Sequence, residues 1–374
     1  MNRLRDYCES HLGEIVADAE ALARLESPST DKAAVDRCGA DLAARLRAAG
    51  AEVRLLRRDV RGDHIVASWP GEEPGILLLG HFDTVWPVGT IADMPIARDG
   101  DRLAGPGVFD MKAGIALALA AMRALKAGDM AHPAIRMLWT TDEEIGSGTS
   151  RADIEAFARA SRAVLVLEPA LPGGALKTAR KGCGEYELIV EGVAAHAGLD
   201  PGSGVSAIHE LASQIREIEQ LTDLATGVTV NVGIIEGGTR PNVVAAHARA
   251  VIDARALTVA DAERIDGVLR RLQPVRAGAR LTVEGSFERP PMERSRDGHR
   301  LFELARDIAG EVGRRLEEGT AGGGSDGNFT AALGVPTLDG LGAIGAGAHA
   351  LHEHVLISEL PWRAALVAGL VSRL

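Results

Sequence analysis

The chain reads as an α/β protein, a mixed sheet sandwiched by helices, interrupted by a second and smaller α/β segment. In the first half, apolar runs alternate with helical stretches, and strands alternating with helices argue for a sheet covered on both faces. Near Arg180 the texture changes to strand, helix, strand, strand, helix, strand, the ferredoxin-like βαββαβ order. After residue 288 the chain returns to the helix-and-loop texture of its first half.

Taken in order, residues 3–26 and 31–49 read as two helices, with Ser29 and Thr30 available as caps and Gly50 as a stop. The runs Val53–Leu56, Ile65–Ser68, Ile76–Leu79, Ile135–Trp139 and Val164–Leu167 read as strands. An alanine-rich helix, Lys112–Leu125, is expected between the third and fourth, and a helix near Ser150–Ala160 between the fourth and fifth. Then Gly184–Val193, Val228–Ile235, Val243–Arg255 and Ala279–Ser286 read as strands, and Val205–Leu221 and Val259–Leu272 as helices. That pattern predicts an inserted domain at 180–288 within a first domain made of 1–179 and 289–374. A helix near Leu301–Gly310, the loop Gly322–Asn328, a short apolar run Val335–Leu338, the loop Gly345–His349 and a closing helix near Leu360–Leu374 complete the reading.

The 374 residues, 46 % of them hydrophobic, suffice for two cores. A net charge of −11 and a pI near 5.5 argue against nucleic acid, whose phosphates call for a basic footprint. Cys8, Cys38 and Cys183 are an odd, scattered set, which suits a reducing compartment and neither a disulfide framework nor a thiolate metal site. No apolar h-region follows Met1, and no apolar run reaches the length of a membrane span. A soluble, cytoplasmic protein is expected.

The strand ends carry the chemistry. Ile76–Leu79 runs into Gly80-His81-Phe82-Asp83-Thr84, Ile135–Trp139 into Thr140-Thr141-Asp142-Glu143-Glu144, and Val164–Leu167 into Glu168-Pro169. Ligands bind outside the carboxyl ends of strands in open α/β sheets, so three such endings point to a metal site. The candidate ligands are His81, Asp110, Glu144, Glu168 and His349. Oxygen and nitrogen donors without sulfur suit catalytic zinc, or manganese or cobalt. Five ligands exceed the usual three of a single catalytic zinc and fit two metals sharing a bridging carboxylate. Asp110, after the Gly105-Pro106-Gly107 turn and at the start of a helix whose N–H groups can hold a carboxylate, is the natural bridge. Asp83 can accept from the His81 nitrogen that does not bind metal. Taken singly, Asp110 and Asp83 also read as a helix cap and a turn aspartate. Two GxGxxG strings, Gly322–Gly327 and Gly340–Gly345, lack the strand before and long helix after that a dinucleotide site needs.

Together, His81-Phe82-Asp83-Thr84-Val85, Gly105-Pro106-Gly107 with Asp110-Met111-Lys112-Ala113-Gly114, Asp142-Glu143-Glu144-Ile145-Gly146-Ser147, Leu167-Glu168-Pro169 and Ala195-His196-Ala197-Gly198 resemble one family. It is the dizinc peptidase family that includes glutamate carboxypeptidase, acetylornithine deacetylase and succinyl-diaminopimelate desuccinylase. The resemblance covers essentially the whole chain, and His81 to Thr90 is most similar to the folate-cleaving glutamate carboxypeptidase branch. It implies a zinc-exopeptidase-like catalytic domain with an inserted lid and homodimerisation domain, and two zinc ions per subunit. His81 and Glu168 would hold one, Glu144 and His349 the other, with Asp110 bridging and a cis Asp110–Met111 bond. Glu143 resembles the general base that takes a proton from the metal-bridging water and delivers it to the leaving nitrogen. His196 resembles the histidine that reaches the partner's site to stabilise the oxyanion. Asn242 and Arg255 resemble the family's contacts to a substrate carboxylate, which a planar Arg fork suits. Arg289, at the second hinge, is a weaker candidate for the same role. Of three crowded histidines, His349 fits the family spacing to Glu353, leaving His352 and His354 for the surface.

The expected activity is release of a C-terminal amino acid, glutamate, from a peptidyl or N-acyl substrate. The nearest rival is an aminoacylase, deacetylase or dipeptidase on the same machinery. A catalytically silent binding protein on this fold is a third reading, against which stand the five ligands and Glu143.

Overall fold

The apolar runs of the first half pair into one six-stranded sheet, seen in a computed structural model that describes residues 1–374. Its strand order is Glu52–Leu56, His64–Trp69, Pro133–Thr140, Glu72–His81, Ala163–Val166 and Thr337–Leu338. Glu72–His81 lies parallel to both of its neighbours, whereas His64–Trp69 is antiparallel to both of its own. The sheet is therefore mixed, as expected. Because the three central strands run the same way, their carboxyl ends emerge at one edge, bringing His81, the turn after Thr140, and Glu168 to the same place.

Ile76, Leu77, Leu78 and Leu79 are all fully buried, which requires cover on both faces. Alternation supplies it. Ile76 and Leu78 join a core with Leu119, Leu22 and Leu366, whereas Leu77 and Leu79 join Ile154, Ala158 and Phe329 on the other side. The first core is covered by the helices Leu12–Arg24, Ala113–Ala127 and Leu360–Val371, and the second by Arg151–Arg159 and Gly327–Ala332.

Several local expectations are corrected. The helix expected over 3–26 is two, Asn2–Ser10 and Leu12–Arg24, broken at His11, whose ring stacks on Tyr7 at 4.0 Å and whose Nδ1 lies 2.8 Å from the Tyr7 carbonyl. Neither Ser29 nor Thr30 caps the next helix. Asp31 does, accepting the Ala34 N–H at 3.0 Å. The six-residue helix Gly327–Ala332 is hidden in sequence by the glycines before it. The strand expected from Val243 begins at His247.

The chain divides into two units. One comprises Met1–Thr178, Arg294–Ala321 and Ser325–Leu374, the other Ala179–Glu293 with Gly322–Gly324. The second unit has the strands Gly182–Glu191, Thr229–Gly237, His247–Ala256 and Arg280–Arg289 and the helices Ala207–Ile218 and Val259–Arg270. All its strand pairs are antiparallel, in the order second, third, first, fourth, which is the ferredoxin-like arrangement. Leu188, Val190, Ala250 and Ile252 face the helices, packing on Leu211, Ile265 and Leu269. No helix of the chain is long and apolar enough to cross a membrane.

Candidate metal centre

His81 closes the strand Glu72–His81 and is 1 % exposed. Its Nδ1 lies 3.1 Å from the Asp83 carbonyl oxygen and 3.4 Å from Asp83 Oδ1. Its Nε2 points the other way, 3.2 Å from Asp110 Oδ1 and 3.3 Å from Glu168 Oε1. With Nδ1 donating to Asp83, a neutral ring would turn its Nε2 lone pair on two carboxylate oxygens. Only a positive centre relieves that contact. Burial opposes protonation of His81, yet Asp110, Asp83 and Glu168 together raise its pKa well above the ordinary value.

Across the site, His349 Nε2 stands 3.0 Å from Glu144 Oε2 and 3.6 Å from Asp110 Oδ2. Asp110 thus offers one oxygen to each histidine. Burial raises the Glu144 carboxyl to about 7 against the pull of His349, and the Glu144 carboxylate in turn lifts His349 to about 9. Such a pair titrates as one unit. Glu144 Oε1 is buried with no hydrogen-bond partner. The donor atoms of His81, Glu143 and Glu168 lie within 4.8 Å of one another, as do those of His81, Asp110 and Glu144. An orphaned carboxylate oxygen, clustered acids and nitrogen–oxygen donors fit divalent cations.

The turn after Thr140 explains how adjacent glutamates face one site. The strand ends there, and Glu143–Ile145 is a single 3₁₀ turn closed by Gly146 at φ 96°. Asp83, fully buried, receives the Glu143 N–H on Oδ1 at 3.4 Å and the Glu144 N–H on Oδ2 at 3.3 Å. Ser29 donates its hydroxyl to the same Oδ2 at 2.6 Å, which is why it is not a helix cap. Asp142 Oδ2 takes the Thr149 N–H and hydroxyl at 2.6 and 2.8 Å, pinning the far side of the turn. Asp83 therefore orients His81 and the glutamate turn together.

Asp110 sits in an irregular turn, Val108–Lys112, before the helix Ala113–Ala127. Its backbone is non-helical, with φ −113° and ψ 93°, and the Asp110–Met111 peptide is cis. The N–H groups of Gly107, Phe109 and Asp110 converge on Glu353. Gly107 is required here: its φ is 69°, and a Cβ would stand 2.5 Å from Thr84 Cγ2. Gly114 is equally constrained, since a Cβ would lie 2.3 Å from the Leu167 carbonyl beside Glu168.

Four other named residues lie in the second unit. His196 is exposed, and its Nδ1 accepts the N–H groups of Gly198 and Leu199, both at 3.1 Å, so the ring proton of the neutral form sits on Nε2. Asn242 is exposed nearby, its carbonyl accepting the Ala197 N–H at 3.0 Å. Arg255 and Arg289 stand opposite Cys183 on either side of the strand Gly182–Glu191, in one row of the sheet. Arg255 is not an open fork. Its Nε is 3.0 Å and its Nη2 2.6 Å from Asp253, and its Nη1 is 2.6 Å from Cys183 Sγ. Arg289 is buried. His352 is exposed and His354 half-buried.

Sequence reasoning did not single out Lys112, Lys177 or the role of Glu353. Lys112 is buried with Nζ 2.6 Å from the Leu25 carbonyl, and Lys177 Nζ is 4.0 Å from Glu168 Oε2. Buried lysines are rare without a partner, but burial is not visible in a linear string.

Known proteins resemble this chain over nearly its whole length. The model of peptidase family M20/M25/M40 matches residues 77–373. Carboxypeptidase G2 of Pseudomonas sp. (strain RS-16) is 31 % identical over 371 residues, covering 96 % of this chain and 88 % of the relative. Succinyl-diaminopimelate desuccinylase of Xanthomonas campestris pv. campestris (strain 8004) is 29 % identical over 358 residues, covering 90 % and 93 %. The crystal structure of aminopeptidase PepT from Bacillus cereus ATCC 10987 superposes with a TM-score of 0.78 at 25 % identity, covering 96 % of this chain and 98 % of that one.

Proposed function

The chain belongs to peptidase family M20/M25/M40, and from that premise we propose that this metal-dependent hydrolase releases a C-terminal amino acid, glutamate, from a peptidyl or N-acyl substrate. The observation that carries the hydrolytic chemistry is the Glu143–Glu144 turn, in which one glutamate stands among the donors and its neighbour pairs with His349. Similarity to a carboxypeptidase over 96 % of the chain supports the choice of bond.

His81, Asp110 and Glu168 would hold one divalent ion, and Asp110, Glu144 and His349 a second. Zinc suits these donors, with cobalt or manganese as alternatives. When bound, the ions supply Lewis acidity and lower the pKa of water. Glu143 carries the proton, taking it from the attacking water and handing it to the leaving nitrogen. Asp83 moves no proton in this scheme: it holds the His81 ring and the backbone of the glutamate turn. His196, with Nδ1 already occupied, offers Nε2–H to the developing oxyanion. Arg255 and Asn242, with Arg289 in the same sheet row as Arg255, are assigned to a substrate carboxylate. A homodimer through the second unit and a cytoplasmic location complete the reading, the latter on the strength of three unpaired cysteines.

Similarity to a desuccinylase favours a second reading, removal of an acyl group of defined length with little regard for the C-terminal residue. Initial rates on N-acyl amino acids varied first at the C-terminal residue and then at the acyl group, with zinc, cobalt or manganese added, separate the two. Preference for C-terminal glutamate across acyl groups is expected. Preference for one acyl group across amino acids would replace this reading with the second.

A further inference from the structure

Glu353 is fully buried, and its carboxylate collects N–H groups. Its Oε1 accepts from Phe109 N at 2.9 Å and Asp110 N at 3.1 Å. Its Oε2 accepts from Gly107 N at 3.0 Å and Trp86 Nε1 at 2.8 Å. Its backbone carbonyl takes a further N–H from Gly105 at 3.3 Å. Each carboxylate oxygen therefore serves two donors.

The donors and Glu353 itself come from three segments, each bearing groups of the candidate centre. Gly105 to Asp110 carries Asp110, Trp86 follows His81 and Asp83, and Glu353 ends the loop that bears His349. Within that loop, Ala350 N bonds Gly347 O and Glu353 N bonds Ala350 O, both at 2.9 Å, so two successive turns link His349 to Glu353. His349 has φ 60° and a side chain 51 % exposed, so its own packing does little to place it. His81, by contrast, is locked at a strand end and 1 % exposed.

We propose that Glu353 is the positioning residue that sets the His349 loop against the Asp110 turn, and so governs the affinity of the Asp110–Glu144–His349 half of the centre more than that of the half whose His81 and Glu168 are placed by the sheet. The inference rests on the two-metal reading above. Its chemistry is specific to a carboxylate. In Glu353→Gln one acceptor oxygen becomes an NH2 group facing two N–H donors, so size is kept while the attachment on that side is lost. Partners that orient metal ligands are worth about 10–100-fold in metal affinity.

The test is titration of the apo full-length chain with zinc alone, followed by calorimetry and by equilibrium dialysis for stoichiometry, with thermal unfolding of each apo protein alongside. The wild type is expected to bind two equivalents. Glu353→Gln is expected to bind the second equivalent about 10–100-fold more weakly and the first with a clearly smaller loss, since Asp110 serves both ions. Two equivalents with wild-type affinities would overturn the proposal, as would equal weakening of both sites together with a lowered apo melting temperature, the mark of a merely structural role. Should Glu353→Gln not fold, Trp86→Phe removes a single donor and is expected to weaken the second equivalent by a few-fold, more than the first. Wild-type behaviour in that variant overturns the proposal. A wild type binding less than one equivalent would instead refute the two-metal reading, so the two failures are distinguishable.

Discussion

His349 Nε2 lies 3.0 Å from Oε2 of Glu144, and the same nitrogen is 3.6 Å from Oδ2 of Asp110. Glu143, one residue earlier, groups with His81 and Glu168, whereas Glu144 groups with His81 and Asp110. Adjacent glutamates are thus delivered to different parts of one site, because the 3₁₀ turn Glu143–Ile145 has replaced the alternation of the strand.

Their jobs should separate on substitution. Glu143→Gln keeps the shape and removes the proton carrier, so both metals should remain while kcat falls about 10²–10⁴-fold. Glu144→Ala should lose metal from one site. Metal content by mass spectrometry, with initial rates on the same preparations, checks this. Equal metal loss in the two variants would refute the division.

A pH dependence of stability is expected from His64, which is fully buried between Thr141 Oγ1 at 3.0 Å and Thr149 Oγ1 at 3.2 Å. Burial holds its pKa below the ordinary 6.5. The unfolded chain therefore takes up the proton first, and stability declines as pH falls below about 6.5 until the folded imidazole itself titrates. Melting temperatures from pH 7.5 to 5 should fall less steeply in His64→Gln than in the wild type. Superimposable slopes would show that other groups govern the acid limb.

Arg363 is expected to be a stability determinant close to the site. It is fully buried, donating to the carbonyls of Gly342 at 2.9 Å and Gly174 at 3.1 Å and to that of Gly340, and burial pushes its pKa down to about 9. Gly342 in turn donates its N–H to the Glu168 carbonyl at 2.8 Å. Arg363→Met fills much of the space but orphans three acceptors, at about 1–3 kcal/mol for each that water cannot reach. Urea unfolding should show a loss of at least about 3 kcal/mol, and a loss under about 1 kcal/mol would contradict this account.

Substrate recognition is tested through Arg255, already engaged by Asp253 and Cys183. Arg255→Ala should raise KM for a carboxylate-bearing substrate about tenfold, the effect of roughly 1.4 kcal/mol of lost binding, with kcat little changed. An unchanged KM would remove Arg255 from the carboxylate site.

Much of the architecture is legible in the string, for a local reason. Buried parallel strands must be apolar on both faces, so Ile76–Leu79, Ile135–Trp139 and Val164–Leu167 stand out, and so do the polar residues where each run stops. The βαββαβ order of the second unit is read from the same periodicities, and its sheet order agrees with that pattern. The break at His11, the capping of the helix Lys32–Ala48 by Asp31 and the short helix Gly327–Ala332 were missed, since each depends on one or two side-chain contacts that weak local propensity does not announce.

By itself, then, the sequence determined which residue types stand at the ends of which strands, because hydrophobic periodicity is a property of neighbours along the chain. Only the tertiary structure decided that Ser29 serves Asp83, that Asp83 holds the backbone of Glu143 and Glu144, and that the N–H groups around Asp110 belong to Glu353. Those pairings join residues far apart in the chain. A buried carboxylate must find donors wherever the folded backbone places them, and no spacing rule records which donors those will be.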